Sequence, residues 1–77
     1  MKRVEILGAI EEAADLPGGT LKGNEILASI ASWDSLTGSE FRLIVLDRWQ
    51  VSLSGAALVR CETIADIVAL LGSRVED

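Results

Sequence analysis

A serine near the middle of the chain is the residue whose type and position best suit chemistry. Ser35 follows Asp34 and precedes Leu36, and an amphipathic pattern begins directly after it. A serine hydroxyl at the start of a helix is exposed and lies beside backbone amides that point past it. A phosphate attached there would lie at the positive end of the helix dipole. Ser35 is therefore a candidate site for attachment of a phosphate-linked group. In the alternative interpretation, Asp34 or Ser35 is only the helix cap.

The rest of the chain offers no catalytic residue and no base to activate Ser35, so its modification requires a separate enzyme. Histidine is absent, which leaves Cys61 without a partner that would make it a thiolate, and we expect a small core residue there. Glu11, Glu12 and Asp15 are expected to form the solvated face of the first helix. No glycine-rich phosphate loop and no metal-ligand spacing is visible. We therefore expect a protein that is not an enzyme.

Composition and charge limit the classes of partner that we expect the chain to bind. The chain has 77 residues, 49% of them hydrophobic, and a net charge of −5. This size favours a single domain spanning residues 1–77. The negative charge disfavours nucleic acids and anionic membranes and favours basic protein partners. A single cysteine fits a reducing compartment, and no apolar stretch is long enough for a signal peptide or a membrane span. We expect a cytoplasmic monomer.

Apolar residues at three- and four-residue spacing predict four helices and almost no strand. The predicted spans are residues 2–14, residues 36–49, a short third helix from the cap Ser54 to about Val59, and a fourth helix from the cap Thr63 to a stop at Gly72. The predicted buried residues are Val4, Ile6, Leu7, Ile10, Ala13 and Ala14 in the first helix, Phe41, Ile44, Val45 and Trp49 in the second, and Ile64, Ile67, Val68 and Leu71 in the fourth.

These elements predict an all-α fold. We expect a small four-helix bundle with three long helices, one short third helix, and a long loop between helices one and two. A connection as long as residues 16–34 is expected to pack on the bundle and to have a functional role. Within it, Asn24 is predicted to cap a helical turn over residues 25–29. Ala56, Ala57 and Leu58 of the third helix either border a cleft, or the two alanines only allow the helices to approach closely.

The order and spacing of these features resemble the acyl carrier protein family. Asp34-Ser35-Leu36 is followed by an amphipathic helix with Glu40 four residues after Leu36, and Thr63-Ile64 lies at the family's distance from the serine. The order of elements also agrees: a first helix, a long loop with leucines, the Asp-Ser-Leu motif, a second helix ending in an aromatic residue, a short third helix and a last helix. The resemblance covers nearly the whole chain.

The resemblance implies that Ser35 accepts 4′-phosphopantetheine from coenzyme A, transferred by a phosphopantetheinyl transferase that uses magnesium. The thiol of this arm would hold an acyl group as a thioester. An acyl- or aminoacyl-activating ligase would load the cargo, and synthase or acyltransferase enzymes of the pathway would receive it. In such a family Asp34 orients the modification site, Leu36 contacts partner enzymes, and Glu40 faces a basic patch on them.

Charge separates this chain from carriers of bulk fatty acid synthesis, whose second helix is markedly acidic. Here residues 35–60 carry the acids Glu40 and Asp47 against three bases, among them Arg42, for a net charge of +1. We therefore expect Arg42 and Asp47 to take part in partner recognition, in a specialised freestanding carrier of a lipid or polyketide pathway. One alternative is an aminoacyl or peptidyl carrier, as in nonribosomal synthesis or D-alanylation. Another is a helical interaction module without a prosthetic group, in which Ser35 belongs only to a cap.

Overall fold

The fold is helical throughout the part of the chain that the computed structural model describes, residues 1–30 and 32–76. The helices are α1 (Arg3–Ala13), α2 (Ser35–Trp49), α3 (Gly55–Val59) and α4 (Ile64–Leu71), with short 3-10 turns at Leu27–Ser29 and Gly72–Arg74. Within these residues there is no strand, and the four predicted helices are confirmed to within one residue at each end. None of the described helices is long and apolar enough to cross a membrane.

Side-chain caps determine where α2, α3 and α4 begin. In each case a side-chain oxygen accepts the backbone amide three residues later: that of Asp34 at 2.8 Å, that of Ser54 at 3.3 Å and that of Thr63 at 3.1 Å. The α4 cap is reciprocal, because the Asp66 carboxylate accepts the Thr63 amide at 3.1 Å. Hydrogen bonds from the amides of Glu62 and Thr63 lower the pKa of Asp66. Each cap satisfies amides that have no partner inside the helix.

The core lies between the four helices. Helix α1 packs on α2 and α4, and α3 packs on the same two helices from another side. The largest fully buried side chains are Phe41, Ile6, Ile10, Ile64, Ile67, Leu71 and Val45. Each such side chain stabilises the fold by about 1.5–3 kcal/mol. These contacts fix α2, and with it the candidate serine at its first residue.

Parts of the predicted core are wrong. Val4 is 68% exposed, whereas Ala9 and Glu11 are buried on α1. The buried face of α1 is therefore rotated toward the loop that follows this helix. On α2, Ile44 and Trp49 are only half-buried, although they pack against the core.

Glu11 is buried because the loop after α1 uses its carboxylate. Its Oε2 accepts the Leu21 amide at 2.8 Å, and only 5% of the residue is exposed. The prediction of a solvated Glu11 is therefore wrong, while Glu12 and Asp15 are exposed as predicted. A buried amide needs a partner, and this carboxylate supplies it without a strand or a helix.

The rest of the loop is fastened to the start of α4. The Leu27 amide donates to the Glu62 carbonyl at 2.8 Å, and the Ile64 amide donates back to the Glu25 carbonyl at 3.0 Å. These two bonds form a short antiparallel bridge. Loop side chains such as Leu21, Leu27 and Ile30 are buried in the core, which confirms that the loop packs on the bundle.

Glu25, rather than Asn24, organises the turn in this loop. Its carboxylate accepts the amides of Lys22 at 2.7 Å and Gly23 at 2.9 Å, which lowers the pKa of Glu25. The turn that follows is a 3-10 turn at Leu27–Ser29 and has no side-chain cap. The predicted cap at Asn24 is wrong, because the longer side chain of Glu25 reaches back to two amides at once.

Candidate functional site

Ser35 is the first residue of α2, and its side chain is exposed. The cap of this helix is Asp34, whose Oδ1 accepts the Thr37 amide at 2.8 Å. The Ser35 hydroxyl has no hydrogen-bond partner among residues 1–30 and 32–76. Of the two residues that the sequence leaves open as the cap, Asp34 is the cap, and Ser35 keeps its hydroxyl available.

The surroundings of Ser35 suit an anion. The amides of Ser35 and Leu36 lie in the first turn of a 15-residue helix, so no carbonyl within the helix accepts a hydrogen bond from them. The helix dipole adds positive potential at the same end. Asp34 is ionised at neutral pH, since the hydrogen bond from the Thr37 amide lowers the pKa of its carboxyl group. A phosphate on the serine would therefore be attracted by the amide donors and the helix dipole and repelled by the neighbouring Asp34 carboxylate.

The segment before Ser35 is held to the core by its neighbours. The Thr37 hydroxyl donates to the Ser32 carbonyl at 2.7 Å. The Trp33 ring packs against Phe41, with 6.4 Å between the ring centroids and an interplanar angle of 59°. Phe41 is completely buried. The serine thus lies on a fixed helix end, because residues on both sides of it contact buried groups.

A half-open groove of about 490 Å³ runs beside Ser35, between α2, α3 and the Leu27–Ser29 turn. Its walls are mainly apolar, with Leu27, Trp33, Leu58 and Val59 among the lining residues. Its volume falls within the range of about 300–1,000 Å³ typical of small-ligand pockets. A cleft therefore borders the third helix, which was one of the two interpretations of the small residues there. Of Ala56–Leu58, only Leu58 lines it.

Gly38 lies where the α2 and α3 walls of the groove meet. A Cβ at this position would lie 3.4 Å from the Leu58 Cδ2 atom. The residue is buried and lines the groove one turn after Ser35. A larger side chain there would fill the space next to the serine.

Arg42 borders the groove and also a second hollow on the outer side of α2, which Leu43 and Leu46 line. Its Nε donates to the Leu53 carbonyl at 3.0 Å, and its guanidinium lies against Gly55, where a Cβ would be only 3.0 Å from Nη1. The residue is half-buried. The role predicted for Arg42 in partner recognition stays a prediction, because the residue borders both the groove and the outer side of α2.

The other predicted recognition residues are exposed. Leu36, Glu40 and Asp47 lie at helical spacing on the outer face of α2, and Leu36 is 69% exposed. The face also contains Leu43, which is 64% exposed, and Leu46 lies at its edge. Sequence reasoning missed these two leucines. The signal was the spacing of three, four and seven residues from Leu36, which places Leu43 on the same side.

Cys61 lines the far wall of the groove and is half-buried instead of fully buried in the core. Partial burial raises the pKa of its thiol, and the negative charge of Asp66 raises it further. The thiol is therefore protonated at neutral pH and is a weak nucleophile.

Comparison with known proteins provides no further guide to the site. No family model matches the chain, and no characterised protein or solved structure is found as its relative. Within the part of the chain that the structure describes, no cluster of three or more histidine, cysteine, aspartate or glutamate residues is placed to hold a metal ion. The function of the site is therefore argued from its own geometry and from the Asp-Ser-Leu motif.

Proposed function

We propose that this protein is a carrier that holds an acyl group on a 4′-phosphopantetheine arm attached to Ser35. The observation that carries the proposal is the division of roles at the start of α2. Asp34 caps the helix, and the exposed Ser35 hydroxyl makes no bond within the described residues. A long loop before the motif and a short helix after α2 complete an arrangement that resembles the acyl carrier protein family.

The chain's own part in this function is to present the serine and to hold the arm's phosphate. The amides of Ser35 and Leu36 and the dipole of α2 favour an anion there, by about 0.3–1 kcal/mol at an exposed helix end. When bound, the arm supplies a terminal thiol that carries cargo as a thioester. No histidine is available to deprotonate the serine. A separate phosphopantetheinyl transferase, with coenzyme A and magnesium, must therefore attach the arm.

The groove favours acyl over aminoacyl cargo. Its walls are apolar, and its one basic lining residue is Arg42. The ammonium group of an aminoacyl or peptidyl cargo would be repelled by this guanidinium and would gain little from the walls. We therefore propose an acyl carrier loaded by an acyl-activating ligase, as in a specialised lipid or polyketide pathway.

Partner enzymes are proposed to read the outer face of α2. This face combines the exposed leucines Leu36 and Leu43 with the acids Glu40 and Asp47. A complementary surface would have an apolar pocket bordered by basic side chains, because such a pair steers encounter and fixes orientation. With only two acids, this face differs from the strongly acidic helix of bulk fatty acid carriers, which supports dedicated partner enzymes.

Mass spectrometry of the intact protein tests the proposal. Incubation with coenzyme A, magnesium and a broad-specificity phosphopantetheinyl transferase should add the mass of one phosphopantetheine to the wild-type protein. Ser35→Ala should gain none. The matched control is Ser39→Ala. Ser39 lies one turn later on the same groove, and its hydroxyl donates to the Ser35 carbonyl at 3.1 Å. This variant should still be modified.

Two results would contradict the carrier. One is no gain of mass with several transferases on a folded protein, which would leave the helical interaction module. The other is equal gain in Ser35→Ala, which would place the modification elsewhere. Incubation of the modified protein with an acyl ligase or with an amino-acid adenylating enzyme then separates acyl from aminoacyl cargo, and only the acyl ligase should add mass.

A further inference from the structure

Arg42 gives the apolar groove a positively charged end. Among the residues that the structure describes, it is the only basic one that lines the groove, and it lies two helical turns after Ser35. At 1.5 Å per residue, this separation corresponds to about 10 Å along the helix axis. The acid at the serine end, Asp34, is committed to the Thr37 amide. The groove therefore runs from the candidate attachment site along apolar walls to a guanidinium.

The charge of this guanidinium is not balanced within the described residues. The ion pairs found there are those of the N-terminal amine with Glu76 and of Arg48 with Glu12. Arg42 uses one of its five N–H donors, on Nε, for the Leu53 carbonyl. The remaining donors of Arg42 are available to an anion, and the planar edge of a guanidinium matches a carboxylate with two parallel hydrogen bonds.

We propose that the groove binds the far end of a carboxylate-ended acyl chain, with the carboxylate paired to Arg42 and the methylenes against the apolar walls. The layout argues for this occupant: a methyl-ended chain would leave the guanidinium without a counter-ion, and a short polar group would leave the walls of Leu27, Trp33 and Leu58 uncovered. The proposal rests on the proposed function, because the arm on Ser35 delivers the chain to the groove.

The test compares two cargoes of equal length on the same serine. A broad-specificity transferase loads Ser35 from the coenzyme A thioesters of octanoate and of 7-carboxyheptanoate, and thermal unfolding is followed by circular dichroism. In the wild-type protein, the carboxyl-ended form should melt about 1–8 °C above the methyl-ended form. The difference should disappear in Arg42→Gln and shrink in added salt.

Arg60→Gln is the matched control. Arg60 is exposed at the end of α3 and does not line the groove, yet its substitution removes the same unit of charge. The melting difference between the two cargoes should persist in this variant. Because the two forms are compared within each variant, a general loss of stability cancels. If Arg42→Gln does not fold, Arg42→Lys should show a reduced difference, since lysine lacks the planar edge.

A second measurement reports on the groove directly. Trp49→Phe leaves Trp33 as the single tryptophan beside the groove. Its emission should shift to shorter wavelength when either chain covers it. Arg42→Gln should weaken that shift for the carboxyl-ended chain alone.

Several outcomes would overturn the proposal. Equal melting of the two wild-type forms, or higher melting of the octanoyl form, would mean that the groove does not select a carboxylate. A difference that persists in Arg42→Gln would remove this residue from the site. If Arg42→Gln destabilises the octanoyl form and the cargo-free modified form by equal amounts, and both by more than the unmodified protein, the partner of Arg42 is the phosphate of the arm and not a carboxylate on the cargo. Absence of any loading on Ser35 contradicts the proposed function itself, and loading without discrimination contradicts only this inference.

Discussion

Substitution of the buried Glu11 tests whether its hydrogen bond holds the loop before the serine in place. Its Oε2 lies 2.8 Å from the Leu21 nitrogen, and both residues are buried. Glu11→Ala removes the acceptor and leaves the Leu21 amide without a partner. Glu11→Gln retains an acceptor oxygen in a side chain of the same length and removes only the charge. The two variants therefore separate the hydrogen bond from its charge.

The expected loss of stability follows from these contacts. An unsatisfied buried amide costs about 1–3 kcal/mol, and removal of the one buried methylene, Cγ, adds about 0.8 kcal/mol. The free energy of unfolding of Glu11→Ala should therefore fall by about 2–4 kcal/mol. A domain of this size loses about 4–8 °C of melting temperature per kcal/mol, so the melting temperature should fall by at least about 8 °C. Glu11→Gln should lose about 1 kcal/mol, because a neutral acceptor is weaker than a carboxylate.

Two measurements check this reasoning. Thermal unfolding by circular dichroism gives the order of stabilities, and hydrogen exchange by NMR reports on the Leu21 amide. Exchange at this amide should be slow in the wild type and in Glu11→Gln and fast in Glu11→Ala. Glu12→Ala is the matched control, since Glu12 is exposed and its ion pair with Arg48 contributes at most about 1 kcal/mol. Near-wild-type stability of Glu11→Ala, with a protected Leu21 amide, would refute the argument.

Three further predictions concern the core, the thiol and the fourth helix. Phe41→Ala should lower the free energy of unfolding, measured in urea, by about 3–5 kcal/mol. Trp49→Ala should lower it clearly less, because Trp49 is half-buried. Equal losses in the two variants would contradict the core described above. Cys61 should react with iodoacetamide more slowly in the folded than in the urea-unfolded protein at neutral pH, because partial burial raises its pKa; equal rates would contradict this. The pKa of Asp66 is lowered from 3.8, so its stabilising effect is present above that pH and is lost as the pH falls below it. Asp66→Asn should therefore lower the melting temperature at about pH 5 and hardly change it at about pH 2, and an equal decrease at both would contradict the assigned role.

The starts of the later helices follow from the sequence because capping is local. Asp34, Ser54 and Thr63 each bond to an amide within one turn, so the residue types and the apolar spacing after them contain the necessary information. The buried face of α1 does not follow in the same way. Glu11 is buried and Val4 is exposed because a distant loop folds over one side of this helix. Periodicity alone treats a carboxylate as solvated.

The candidate site also has one part that the sequence predicts and one part that it does not. The motif and its chemistry are readable in the sequence, since Ser35 is contiguous with its cap. The groove is not readable, because its walls come from the loop, from α2 and from α3, which meet only in the folded protein. For the same reason the sequence groups Arg42 with the exposed charges of α2. Its hydrogen bond to the Leu53 carbonyl, 11 residues later, and its contact with Gly55 hold the guanidinium beside the segment before α3, where it borders the groove as well as the outer side of α2.

The short bridge between the loop and α4 has a consequence for the order of folding. It pairs Leu27 and Glu25 with Glu62 and Ile64, which are far apart in the chain, so it forms after the local helices. The amides of Leu27 and Ile64 should then exchange together, in one cooperative opening that involves the last helix. Helix α4 contributes no side chain to the groove. Its stability nevertheless sets how often the Leu27 wall separates from the serine, so variants that weaken α4 should increase access to the groove from a distance.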